Sequence, residues 1–144
     1  MSVPLIKSLL KIWPITNPAK EVVFLNEIEE LLETNWSVIS GRFSEFGPKL
    51  IKRLTKTAQS MHLQAAERAL LLLNSDTIQK MIRLNKAIAY PLVVKNLISG
   101  SQQSHWSTTV TTITYSVIRS YMEMDPETFE KLTQLAQQEE RTKT

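Results

Sequence analysis

The chain has 144 residues, 42% of them hydrophobic, and carries 17 lysines and arginines against 14 acids for a formal net charge of +3. That is enough chain for one domain with a sizeable core, and too weak a charge bias to imply a nucleic-acid ligand. With no cysteine, disulfides, thiol catalysis and thiolate metal sites are excluded. Scarce glycine and abundant Leu, Ala, Glu, Gln and Lys point to an all-helical fold.

The first expected helix covers residues 4–12, with Pro4 in its opening turn and Leu5, Ile6, Leu9, Leu10 and Ile12 on its apolar side. Trp13-Pro14 ends it, and 14–18 form a loop. A longer helix is expected over 19–34, with Val22, Leu25, Ile28 and Leu32 inward and Glu27, Glu29, Glu30 and Glu33 off that stripe. Trp36, Val38, Ile39, Phe43 and Phe46 repeat every three to four residues and predict a helix over 36–46, with Gly47-Pro48 as the break after it. Further helices are expected at 49–58, 62–74 and 76–84, the last capped by Asp76. A helix over 86–98 contains Pro91, which should kink it or begin a new one. A polar loop at 99–104 precedes a threonine-rich helix over 106–124 that tertiary packing must hold. Asp125-Pro126 stops that helix and starts the last one, expected to run to about 139, with 140–144 a frayed tail.

The segments repeat. Pro48-Lys-Leu-Ile-Lys-Arg-Leu-Thr realigns on Pro91-Leu-Val-Val-Lys-Asn-Leu-Ile at a shift of 43, which also sets His62 on His105. Leu5-Ile-Lys-Ser-Leu-Leu-Lys realigns on Leu50-Ile-Lys-Arg-Leu-Thr-Lys at a shift of 45. That period, with two or more helices per unit, is the size of a HEAT or armadillo repeat. The expected architecture is therefore a single-domain HEAT/armadillo-like α-α superhelix of about three repeats over 1–144, a piece of a longer solenoid. Ala65, Ala66 and Ala69 would let its helices approach closely.

Chemistry is not legible in the motifs. His62 and His105 fall one repeat apart, whereas zinc needs ligand nitrogens at about 2 Å, so both read as helix starters. The glutamates of 27–33 read as a solvated acidic ridge, and Lys49, Lys52, Arg53 and Lys56 as a solvated basic helix face. Glu67 and Arg68 diverge on their helix, so each would reach toward a neighbouring repeat. Trp13, Trp36 and Trp106 read as layer anchors, with Trp106 the best candidate for partial exposure. No catalytic residue, cofactor site or metal site is expected. The N-terminus lacks the basic-then-apolar pattern of a secretion leader, so a cytoplasmic or nuclear location is expected.

Several blocks resemble one family. Leu9-Leu-Lys-Ile-Trp-Pro-Ile-Thr-Asn, then Lys20-Glu-Val-Val-Phe-Leu-Asn-Glu-Ile-Glu-Glu-Leu-Leu, then His62-Leu-Gln-Ala-Ala-Glu-Arg-Ala-Leu, Ser104-His-Trp and Tyr121-Met-Glu-Met-Asp resemble the B-prime (B56) regulatory subunits of protein phosphatase 2A, in the family's order and near its spacing. The resemblance covers nearly all of this chain and the C-terminal part of the family's HEAT-like domain. It implies a non-catalytic regulatory protein whose partners are the catalytic and scaffold subunits of that phosphatase, with no nucleic acid and no membrane. It also implies that the groove reading Leu-x-x-Ile-x-Glu peptides belongs to earlier repeats. The chain departs from the family at Leu71, Leu72 and Leu73, where aromatics are usual, and over 34–49; the family's long charged tail does not follow Thr144. Candidate contact residues at turns and helix starts are Asn17, Lys20, Glu27, His62, Arg68, His105 and Trp106. The alternative is a homo-dimer, or binding to an unrelated protein, through an exposed first helix.

Overall fold

The computed structural model describes residues 2–101 and 107–143. Among them there are helices α1 (Ser2–Lys11), α2 (Pro18–Thr34), α3 (Trp36–Ile39), α4 (Phe43–Ala58), α5 (Leu63–Leu73), α6 (Asp76–Leu84), α7 (Lys86–Ser101), α8 (Thr108–Met124) and α9 (Pro126–Lys143), and no strand. A 3-10 turn, Ser40–Arg42, joins α3 to α4.

The starts of these helices are chemical. Asn17 Oδ1 accepts the Lys20 N–H at 3.1 Å, and Pro18 occupies the first turn of α2, where no amide is needed. Ser75, rather than the expected Asp76, caps α6, its Oγ accepting from the Ile78 N–H at 3.3 Å. Asp76 sits inside the first turn instead, where its charge suits the helix dipole. Asp125 caps α9 as expected, with Oδ1 3.3 Å from the Thr128 N–H.

The break expected at Gly47-Pro48 is absent, and no new helix begins at Pro91. Helix α4 runs through Gly47-Pro48, and α7 runs through Pro91. A mid-helix proline costs about 3 kcal/mol or more. Phe46, Leu50, Ile51 and Leu54 of α4 are fully buried, and each such side chain contributes about 1.5–3 kcal/mol. Tertiary packing therefore outweighs the local penalty. Gly47 also has a steric reason to be glycine, since a Cβ there would overlap the buried Phe43 ring. The helix expected over 36–46 is instead three pieces: α3, the 3-10 turn and the first turn of α4. Helix α7 continues into the segment expected as polar loop, ending at Ser101.

Among the described residues, three helical hairpins stack side by side. Helices α1 and α2, α4 and α5, and α7 and α8 each pack as a pair. Across the stack, α1, α4, α7 and α9 make one layer while α2, α5 and α8 make the other. The short helices α3 and α6 connect one hairpin to the next. Helices α4 and α7 begin at Phe43 and Lys86, the interval read from the sequence repeat. The stack is the expected helical-repeat architecture, and α5 lies at its centre, against α2, α4 and α8. Ala65, Ala66 and Ala69 of α5 are fully buried, as a helix wedged between neighbours requires.

Polar ties join the layers. Tyr121 on α8 donates from its hydroxyl to the Leu73 carbonyl at the end of α5, at 2.5 Å. Tyr90 on α7 donates to the Tyr121 carbonyl at 2.5 Å and lies 3.1 Å from that of Asp125. Burial raises both phenols, Tyr90 to about 12 with help from the nearby Asp125 charge, so both remain protonated donors at neutral pH. Lys86 Nζ meets Asp125 Oδ2 at 2.6 Å. In α8, Thr111, Thr112 and Thr114 return their hydroxyls to the carbonyls four residues back at 2.8–3.0 Å. That is how the helix accommodates so many threonines.

Candidate functional site

The N-terminal ends of α2 and α5 share one edge of the stack, where His62, just before α5, is close enough to Glu21 in the first turn of α2 to act on its charge. Asn17, Lys20 and His62 mark that edge, and all three are exposed. Asn17 already uses its side chain to cap α2. His62 precedes α5, with its backbone N–H 3.0 Å from Ser60 Oγ and its carbonyl accepting from the Ala66 N–H at 2.9 Å. Lys20 and Glu27 present charge to solvent from α2.

Arg68 has a different role. Its guanidinium crosses from α5 to α2, donating to Asn26 Oδ1 at 2.6 Å and to Glu29 Oε2 at 3.0 Å. The contact spans the junction between two repeats, and about a quarter of each charged side chain remains exposed. The expectation that Arg68 reaches a neighbouring repeat is met by this clamp. His105 and Trp106 lie outside the described residues.

A second group of residues sits beneath that edge. Glu21 is buried at 3% exposure on the inner face of α2. Desolvation raises its carboxyl pKa above the usual range, opposed by the Trp13 indole and the charges of His62 and Arg53. The indole N–H is itself buried and has no partner of normal hydrogen-bond geometry among the described residues. Trp13 packs edge-on against Phe24, with ring centroids 5.6 Å apart, and the Arg53 guanidinium lies 5.9 Å above its ring. Trp13 is thus the layer anchor the sequence suggested. Trp36 is half-buried beneath Lys80, whose ammonium is 5.2 Å from the ring centre. Sequence reasoning missed Glu21, although its register is visible: residues 21, 25, 28 and 32 are the buried positions of α2.

Arg53 also lines a concave feature of the surface. A cleft of about 630 Å³ opens between α1 and α4, lined by Lys7, Leu10, Lys11, Lys49, Lys52, Arg53 and Lys56. The cations expected as a solvated helix face therefore form one wall of a groove. The other wall, Lys7 and Lys11, comes from a helix some forty residues earlier in the chain. This lining holds no carboxylate, hydroxyl or imidazole to pair with the lysines as general acid and base.

Residues 1–144 match the family described as "Protein phosphatase 2A regulatory B subunit (B56 family)". Among individual relatives, the B' alpha isoform of the 57 kDa regulatory subunit of serine/threonine protein phosphatase 2A from Arabidopsis thaliana is 37% identical over 129 residues, 90% of this chain and 25% of that protein. The human delta isoform of the 56 kDa regulatory subunit is 38% identical over 131 residues, 91% of this chain and 21% of that protein. The B' kappa isoform of the 57 kDa regulatory subunit from Oryza sativa subsp. japonica is 40% identical over 117 residues, 81% and 22% respectively. The chain spans about a quarter or less of the length of these curated relatives.

Proposed function

Because the chain belongs to the B56 family of protein phosphatase 2A regulatory B subunits, we propose that it is a non-catalytic regulatory protein that presents a binding surface to the phosphatase core or to its substrate proteins. The observation that carries this reading is the ordered stack of hairpins with an exposed, charge-bearing edge at the starts of α2 and α5. Repeat arrays of this kind bind proteins along continuous surfaces and need no deep pocket. On that edge, Lys20, Glu27 and His62 are the contact candidates. Asn17 and Arg68 hold the surface in shape, one by capping the first turn of α2 and the other by fixing α5 against α2. His105 falls on His62 in the sequence repeat, and on that pairing it and its neighbour Trp106 stay among the candidates.

Immobilised chain, shown to be helical by circular dichroism, should recover the phosphatase scaffold and catalytic subunits from a purified mixture. Recovery of neither by a folded sample would overturn the phosphatase part of the proposal. Self-association through α1 is the less supported reading. Leu5 on α1 and Ile12 just beyond it are exposed, but Lys7 and Lys11 share the solvent-facing surface of the helix. A two-fold contact through α1 would bring these cations close to their copies.

A further inference from the structure

The cleft between α1 and α4 has two walls of the same sign. Lys7 and Lys11 stand one turn apart on α1, while Lys49, Lys52, Arg53 and Lys56 recur along α4, and Leu10 is the apolar residue among them. Its five lysines form no ion pair among the described residues. Two carboxylates that feel these cations are committed elsewhere. Glu45 feels Lys7, but it is clasped by Arg42 through contacts of 2.5 and 2.8 Å. Glu21 is buried, next to Trp13 and close enough to Arg53 to feel its charge. Such a concentration of one sign around a concave, low-dielectric wall focuses the field into the cleft, and the cost of bringing these cations together is relieved by a ligand that supplies several negative charges.

We infer that this cleft binds an acidic protein segment, an extended stretch of chain carrying several carboxylates. The spacing favours it. Lys49 to Lys56 covers roughly 10 Å of helix axis at about 1.5 Å per residue, which an extended peptide crosses in about three residues. Acids at every second or third position would each meet an ammonium. Lysines are mobile point charges that tolerate inexact spacing, whereas a single phosphate is better held by the planar fork of arginine. The arginine of the cleft, Arg53, lies across Trp13. A single-stranded nucleic acid would need aromatic platforms for its bases, but Trp13 is buried and covered by that guanidinium. A membrane surface is a poor fit to cations lining a concavity in a chain whose net charge is only +3. The inference concerns a different surface from the edge at α2 and α5 and stands whether or not the phosphatase core is bound there.

The test is fluorescence anisotropy with the whole chain and a labelled short peptide of alternating Glu and Ser. A twin peptide has Gln for every Glu, and a single-stranded oligonucleotide and phosphatidylserine vesicles are the other probes. The acidic peptide should bind about tenfold more tightly than its twin, with affinity falling as salt rises. The combined variant Lys49→Glu, Lys52→Glu, Lys56→Glu should weaken it by about tenfold or more, and Lys7→Gln with Lys11→Gln by about threefold. Reversing Lys95 and Lys131, exposed lysines outside the cleft, should change it by less than about twofold. Circular dichroism checks each fold; if the α4 variant unfolds, the α1 variant decides. Equal binding of the two peptides, equal loss in the control variant, or tighter binding of oligonucleotide or vesicles would each overturn the inference.

Discussion

The phenol of Tyr121 donates a 2.5 Å hydrogen bond to the carbonyl of Leu73, 48 residues earlier in the chain. Leu73 is the last residue of α5, where carbonyls lack helical partners, so the bond satisfies a buried helix end and fixes α8 against α5. Tyr121→Phe keeps the ring and removes the donor. It should destabilise the chain by about 1–2 kcal/mol, the cost of stranding a buried acceptor, read as a lower urea midpoint at unchanged slope. Unchanged stability would contradict the tie.

The clamp of Arg68 on Asn26 and Glu29 joins two hairpins through partly exposed charges. A double-mutant cycle of Arg68→Ala with Glu29→Ala should return a coupling of about 0.5–1 kcal/mol. The coupling should shrink in high salt. A zero coupling at low salt would remove this pair from the account of how α2 and α5 are held together.

Gly47→Ala places a methyl against the ring of Phe43, which is itself buried beside Phe46 with ring centroids 6.1 Å apart. Alanine is the better helix former in isolation, so propensity predicts a gain and packing predicts a loss. Packing should win by about 1–3 kcal/mol, measured by thermal or urea unfolding. A stabilised variant would show that the ring moves aside freely.

Two acids should act oppositely on stability as pH changes. Hydrogen bonds from Lys86, then from Thr128, lower the Asp125 pKa from 3.8 to about 2. A depressed carboxyl favours folding above its unfolded value, and this contribution is lost as pH falls from about 4 toward about 2. Asp125→Asn should therefore lower the melting temperature at neutral pH and flatten the acid limb. Glu21 is raised, first by desolvation, so its contribution is most favourable at low pH and is lost as pH rises through its folded value. Glu21→Gln should raise the melting temperature at pH 7, with the advantage narrowing on acidification. The reverse order for either variant would refute its assignment.

Much of this architecture is legible in the residues because helical periodicity and the 43-residue interval are local signals. Leu25, Ile28 and Leu32 repeat as a buried stripe, and Asn17 and Asp125 announce helix starts. The failures are places where local and tertiary forces disagree. Gly47-Pro48 reads as a break and Pro91 as a kink or a new start, yet α4 and α7 run on through them, with buried side chains on either side. The cleft was half visible: the α4 cations are periodic in sequence, but Lys7 and Lys11 become its second wall only when α1 packs on α4. Tyr90 gave no sign of its tie, since its acceptors are carbonyls more than thirty residues away.

The side-by-side arrangement of hairpins also has a mechanical consequence. Load applied at α1 reaches α9 chiefly through interfaces between successive hairpins, where side chains slide more readily than backbone hydrogen bonds break. Bending should therefore be distributed as small hinge openings at each junction, with every helix staying intact. The molecule would behave as a soft spring, able to alter its curvature to follow a bound surface.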